Sequence, residues 1–183
     1  MKKQPGSCAV IYKNIFIQKN PSKLGKKGVS CYTGQIMALS RQKFREIVFH
    51  LLYCQDFSEA AGEDMLPFMM KEFFIPRKTV AEAQAFKEKV VQARAEIDEY
   101  IKKASENYAF ERITKVELNI LRLSLFELLK AAVPPKVAIS EGIRLSRKFG
   151  GPEGAAFVNA ILDKIYQETR HDLVETAAGE TAQ

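Results

Sequence analysis

The segment that most constrains the fold is ELNILRLSLFELLKAA, residues 117–132. At about 100° per residue its apolar members Leu118, Ile120, Leu121, Leu123, Leu125, Phe126, Leu128 and Leu129 point in nearly every direction around a helix. A helix that is apolar all round is buried on most of its sides. It therefore needs a layer of other elements around it, and it predicts a central core helix. Its ends are marked. Thr114 followed three residues later by Glu117 forms a capping box, and Pro134-Pro135 stops the run.

The segments that could supply that surrounding layer are themselves helical. Ser40 is a good N-cap for RQKFREIVFHLLYCQDF, in which Phe44, Ile47, Val48, Leu51 and Leu52 recur at three- and four-residue spacing. A short Met-rich helix is expected from about Glu63 to Phe74, with Pro76 ending it. Thr79 with Glu82 reads as a second capping box, opening a long helix to about Asn107 along the stripe Phe86, Val90, Ala93, Ile97, Tyr100, Ile101 and Ala104. After the Pro pair, KVAISEGIRLSRKF offers Val137, Ile143 and Phe149 as its apolar residues. Gly150-Gly151-Pro152 is a stop and turn, and GAAFVNAILDKIYQETR carries the stripe Phe157, Ile161, Leu162 and Ile165. From about Leu173 the Ala-, Thr- and Glu-rich end is expected to fray. No segment reads as a strand. The expectation is an all-α fold of about six to seven helices.

Composition narrows the class further. With 183 residues, 46% hydrophobic and 27% charged, the chain is an ordinary folded domain, and no apolar run approaches the roughly 18 residues of a membrane span. The formal charge of +6 is concentrated at one end. Residues 1–36 hold seven of the 28 basic residues, all Lys, and no acidic residue. That leaves 21 basic against 22 acidic residues for 37–183, a net −1. We read 1–36 as a basic, disordered arm or an over-long start before Met37, then a helical domain over 37–172 and a tail over 173–183. The apolar stretch Ala9–Ile17 is interrupted by Lys13 and Asn14, which argues against a signal peptide. Three Cys, with no CxxC, suit a reducing compartment and give no zinc site, so a cytoplasmic protein is expected.

Catalytic chemistry is poorly provided for. His50 and His171 are the two histidines, and the Gly150-Gly151-Pro152 turn lacks the Lys-Ser/Thr of a phosphate-cradling loop. Cys54 follows His50 by four residues, but a lone helical thiol is ordinarily structural. No enzyme activity, cofactor or metal is expected. The first helix is more informative: Gln42, Phe49 and Tyr53 cluster opposite its main apolar stripe, with Arg45 on that face and Arg41 near it. Cations beside ring faces suit single-stranded nucleic acid, where phosphates meet Arg or Lys and unstacked bases lie on aromatic rings. A helix whose aromatic side packs into a neighbouring layer would show the same pattern.

Four segments in order, RQKFREIVFHLLYCQD, ENYAFERITKVELNILRLSLFELL, PPKVAISEGIRLSRKFG and FVNAILDKI, resemble the NusB family of transcription antitermination factors over about residues 40–167. The resemblance implies two packed helical subdomains that bind boxA RNA of ribosomal RNA leader transcripts together with NusE, a ribosomal protein, and so keep RNA polymerase processive. It admits a homodimer as a further assembly. It implies RNA-binding roles for Arg41, Lys43, Arg45 and Tyr53 on the first helix, for Arg112, and for Lys136. It also implies NusE contacts at Glu117, Glu153 and Phe157. The residues alone explain Glu117 as a capping residue, Phe157 as core, and Arg122 as a long side chain leaving a buried helix. The sequence departs from the family's pattern in its thinned basic run, Arg41-Gln42-Lys43, in Phe44 where a small residue is common, in Tyr108 for the usual Trp, and in Ala160 for Gly. Fewer cations imply fewer neutralised phosphates and a shallower salt dependence.

Two other readings fit the same helices. One is a protein-binding helical module without RNA specificity, suggested by the −1 body. The other is the RNA-recognition cap of a ribosomal RNA methyltransferase, although the chain has no βαβ pattern or Gly-rich loop to hold S-adenosylmethionine.

Overall fold

The computed structural model describes residues 40–56, 70, 75–105, 108–131 and 133–179. Ser40 accepts a hydrogen bond from the Lys43 backbone N–H at 3.3 Å and caps α1, Arg41–Gln55, as expected. The arm 1–36 and, apart from Met70, the Met-rich helix expected near 63–74 lie outside the described residues.

The next helix, α2, is Arg77–Gln92. It has already begun before Thr79, because the Pro76 carbonyl accepts from the Val80 N–H at 3.1 Å. Thr79 and Glu82 therefore sit inside the helix and do not open it. The long helix is also interrupted at Ala93, with α3 following as Arg94–Ala104. The interruption is slight. Ala93 N–H still reaches the Lys89 carbonyl at 3.2 Å and Ile97 N–H the Ala93 carbonyl at 3.0 Å. The face buried along α2 and α3 is Val80, Ala83, Val90, Ile97, Ile101 and Ala104, which keeps the expected spacing.

A single 3-10 turn, Phe110–Arg112, leads into α4, Lys115–Leu129. Here the capping box forms: the Glu117 N–H donates to Thr114 Oγ1 at 3.3 Å, and Glu117 Oε2 accepts from the Thr114 N–H at 3.1 Å. Every residue from Asn119 to Glu127 is buried, as a core helix requires.

α5, Pro135–Phe149, begins with Pro at its first position, where the missing N–H costs nothing. Its buried face corrects the expectation. Val137 is exposed, Ile143 and Phe149 are only half-buried, and the interior is filled by Ala138, Gly142, Leu145 and Ser146. Gly142 explains the choice, since a Cβ there would stand 2.5 Å from Ser124 Oγ on α4. The same Cβ would stand 2.9 Å from Leu162 Cδ1 on the last helix, so small residues let three backbones approach closely. The Ser146 carbonyl accepts from both Gly150 and Gly151, and Gly151 takes φ +97°, a left-handed value that glycine adopts without strain.

Reversed by this turn, the chain runs into α6, Pro152–Gly179, whose backbone is helical past Leu173. Buried along it are Ala155, Val158, Ile161, Leu162 and Ile165, whereas Phe157 is half-exposed rather than core. All six α-helices of the described residues agree with the all-α expectation, and none is long and apolar enough to cross a membrane.

The chain divides into two compact units, 1–85 and 86–183. In the second, α4 is the hub: α3, α5 and α6 all pack on it, and α5 and α3 also pack on α6. α3 and α4 are clamped by Arg122, whose Nε and Nη2 donate to Asp98 at 2.7 and 2.8 Å. Arg122 is only 3% exposed, so it does not leave the core helix for solvent but pairs beneath the surface.

Candidate functional site

In α1 the exposed part is the first turn. Arg41 and Gln42 are exposed, Lys43 is part-exposed with its Nζ 3.5 Å from Glu46 Oε2, and everything from Arg45 to Cys54 is buried. This changes the reading of the second face. Phe49 is 0% and Tyr53 6% exposed, with ring centroids 6.0 Å apart, and Phe49 also lies 5.4 Å from the His50 ring. Neither aromatic presents an open face on which a base could lie. The packed-helix alternative describes them, and Arg45, at 5% exposed, belongs with them.

The position of Arg41 and Lys43 is informative for another reason. No acidic residue occupies the first turn of α1. A helix N-terminus carries about half a positive charge, so cations there lose roughly 0.3–1 kcal/mol each where anions would gain it. The dipole of the helix is not served by these two cations, although Lys43 also pairs with Glu46 inside α1. At a helix start whose Lys43 N–H is already taken up by Ser40, their charges make a place that suits an anion such as a phosphate.

A second group assembles in the unit that holds α4. Tyr108, 42% exposed, donates its hydroxyl hydrogen bond to the Arg112 carbonyl at 3.3 Å. The Arg112 guanidinium stands 5.8 Å from the centre of the Tyr108 ring, a cation–π arrangement. The same ring also meets Phe157 of α6 at 5.3 Å and an angle of 50°. Four residues before Phe157 on that helix is Glu153, which is exposed. Between them Gly154 faces Glu117, whose Oε1 lies 2.9 Å from where a Cβ on Gly154 would stand. Thus Arg112, Glu117, Glu153 and Phe157 share one region, at the starts of α4 and α6. Nearby in sequence, Lys102 Nζ sits 5.5 Å from the Phe110 ring, and its hydrogen bond to Glu99 raises its pKa above the ordinary lysine value.

Tyr108 is the member that sequence reasoning did not select. The signal was present, as an aromatic in the short ENYAFER link between two helices, but a link without periodicity does not say which way a ring points. Lys136 is exposed in the first turn of α5. The α1 cations belong to the first compact unit and the Tyr108 group to the second. Among the described residues no three or more His, Cys, Asp or Glu are grouped to hold a metal ion.

This arrangement of helices and motifs has known counterparts. The sequence profile of the NusB family matches residues 42–167. The chain belongs to the NusB family. A Transcription antitermination protein NusB from Anaeromyxobacter sp. (strain Fw109-5) is 38% identical over 130 residues, covering 70% of this chain and 91% of that protein. In three dimensions the chain is similar to T. maritima NusB, with a TM-score of 0.63 at 27% identity over 72% of this chain and 94% of the other. It is also similar to a chain in the crystal structure of antitermination factors NusB and NusE in complex with double-stranded RNA. There the TM-score is 0.60 at 25% identity, covering 70% of this chain and 96% of that one. The relatives of this chain are transcription antitermination proteins. The matched stretch begins at Gln42, after Arg41 and the whole Lys-rich arm.

Proposed function

We propose that this protein is a cytoplasmic RNA-binding antitermination factor that binds boxA RNA of ribosomal RNA leader transcripts together with NusE and keeps RNA polymerase processive. The observation that carries this reading is membership of the NusB family over residues 42–167, one solved relative being a NusB–NusE complex with double-stranded RNA. Arg41 and Lys43 are assigned to RNA phosphates, a role supported by the exposed Arg41 and part-exposed Lys43 standing at a helix start that repels cations. In the second unit Arg112 and Lys136, both exposed, are assigned to RNA as well. Arg45 and Tyr53, being buried, support that surface by holding α1 in register. Glu117, Glu153 and Phe157 are assigned to NusE. Their convergence beside Tyr108 favours one protein partner over three separate roles.

The test is fluorescence anisotropy of labelled boxA-type RNA and a scrambled control, each single- and double-stranded, titrated with the full chain with and without NusE over a salt series. Tighter binding to boxA that NusE sharpens is the expected result. A full-length variant with the seven arm lysines replaced by Gln should lose salt dependence yet keep the boxA preference. Equal binding of both RNAs that disappears with the arm lysines would overturn the reading, and NusE binding without RNA dependence would replace it with a protein-binding module.

A further inference from the structure

α5 has a lopsided charge. It carries four cations, Lys136, Arg144, Arg147 and Lys148, against one carboxylate, Glu141, in a protein whose residues 37–183 hold 21 basic and 22 acidic residues. Glu141 is buried, and it is matched by Arg144, whose Nε donates to Glu141 Oε2 at 2.9 Å. The three cations beyond that pair, Lys136, Arg147 and Lys148, are all exposed.

Helical geometry gathers them. Setting Lys136 at zero, an advance of about 100° per residue puts Arg147 near 20°, Arg144 near 80° and Lys148 near 120°. Val137, 41% exposed, falls at about 100° on the same side. The inner face, Ala138, Gly142, Leu145 and Ser146, spans about 180° to 280° and is the one packed on α4 and α6. The outer face is therefore a cationic strip with one apolar residue and no exposed carboxylate. Lys136 and Arg147 stand about 16 Å apart along the axis at 1.5 Å per residue. That length is enough to meet several successive phosphates of a nucleic-acid strand.

Helix stability explains part of this pattern. Arg147 and Lys148 lie in the last turn, where cations suit the negative end of the helix, but Lys136 lies in the first turn, where a cation is disfavoured. Their common direction is not required by either end. It suits polyanion binding, whose phosphate contacts carry no sequence information.

We propose that the outer face of α5 binds the RNA phosphate backbone irrespective of sequence, Arg147 and Lys148 joining Lys136, already assigned to RNA, in one contact. The proposal rests on the RNA-binding reading above and extends it.

The test uses the full chain carrying Lys136→Gln, Arg147→Gln and Lys148→Gln together, with Arg144 retained because removing it would strand the buried Glu141. Circular dichroism and thermal melting establish that the variant is folded; should it not fold, the single Arg147→Gln variant takes its place. In anisotropy titrations the slope of log affinity against log salt should fall by about two for single-stranded and about three for double-stranded RNA, since each phosphate no longer neutralised lowers it by roughly 0.7 to 0.9. BoxA and scrambled RNA should weaken by the same factor. The charge-keeping variant Lys136→Arg, Arg147→Lys, Lys148→Arg should retain the parent slope. A neutralised variant with the parent's slope and affinity overturns the proposal. If Arg41→Gln with Lys43→Gln then still weakens RNA binding, the RNA reading survives without it. A parent chain that binds neither RNA overturns both. An unchanged RNA slope with weakened NusE binding overturns the proposal and makes the strip a protein surface.

Discussion

Arg122 shows what one buried cation demands of its surroundings. At 3% exposed it forms a two-pronged pair with Asp98, which Arg94 also approaches at 3.7 Å. Breaking such a pair from one side leaves an uncompensated buried charge, whereas replacing both partners by apolar residues of similar volume is often close to neutral. Asp98→Ala should therefore cost about 3–5 kcal/mol in urea denaturation. The double variant Asp98→Leu with Arg122→Met should recover most of that loss. A loss no larger than about 1 kcal/mol for Asp98→Ala would place the pair among surface salt bridges. The sequence shows an Arg in an apolar helix but not its partner, which lies 24 residues away on another helix. Phe49, Tyr53 and Phe157 are ambiguous in sequence for the same reason. Periodicity gives a side chain's angle on its own helix, and burial depends on what stands opposite. The Phe49 and Tyr53 face meets a packed interior, and Phe157 meets Tyr108 at the surface.

At the scale of elements, boundaries are legible where a side chain or a glycine writes them. Ser40, the Thr114 and Glu117 box, and the Gly150-Gly151 reversal each do so through a hydrogen bond or a positive φ. Thr79 and Glu82 fail as a start signal because the turn from Pro76 has already closed. The inner face of α5 is the larger departure. Looking for large apolar residues selects Val137, Ile143 and Phe149, but close packing against two helices selects small ones. Gly142→Ala tests this directly. Alanine's better helix propensity favours the helix by up to about 1 kcal/mol. Against that, the new methyl would sit 2.5 Å from Ser124 Oγ and 2.9 Å from Leu162 Cδ1. Overpacking of this kind costs roughly 1–3 kcal/mol, so a net loss of stability is the expected outcome of chemical denaturation. A variant more stable than the parent would show that the three helices have room to spare.

For the whole molecule, the all-α class and the family follow from the apolar central helix and four ordered motifs, because both are written in local sequence. Charge is legible as a total and misleading as one. The +6 belongs to an arm, and within the near-neutral remainder α5 is cationic while other segments offset it. Composition sums over the surface, and a binding face depends on how that sum is distributed. The reversal between α5 and α6 also bears on the order in which the second unit assembles. Only Gly150 and Gly151 separate these two helices, so bringing them together costs little chain entropy. The hydrogen bond from Lys164 Nζ to the Ala104 carbonyl closes a loop of 60 residues instead. Pairings of short sequence separation are favoured early. In stopped-flow refolding, Leu162→Ala, at the α5–α6 seam, should slow folding in proportion to the stability it removes. Ile97→Val on α3 should leave the folding rate unchanged and speed unfolding. The reverse pattern would show that α3 docks first. On the expected pattern, a two-glycine turn, conspicuous in the native state only as a reversal of direction, acts as the hinge on which a folding nucleus closes.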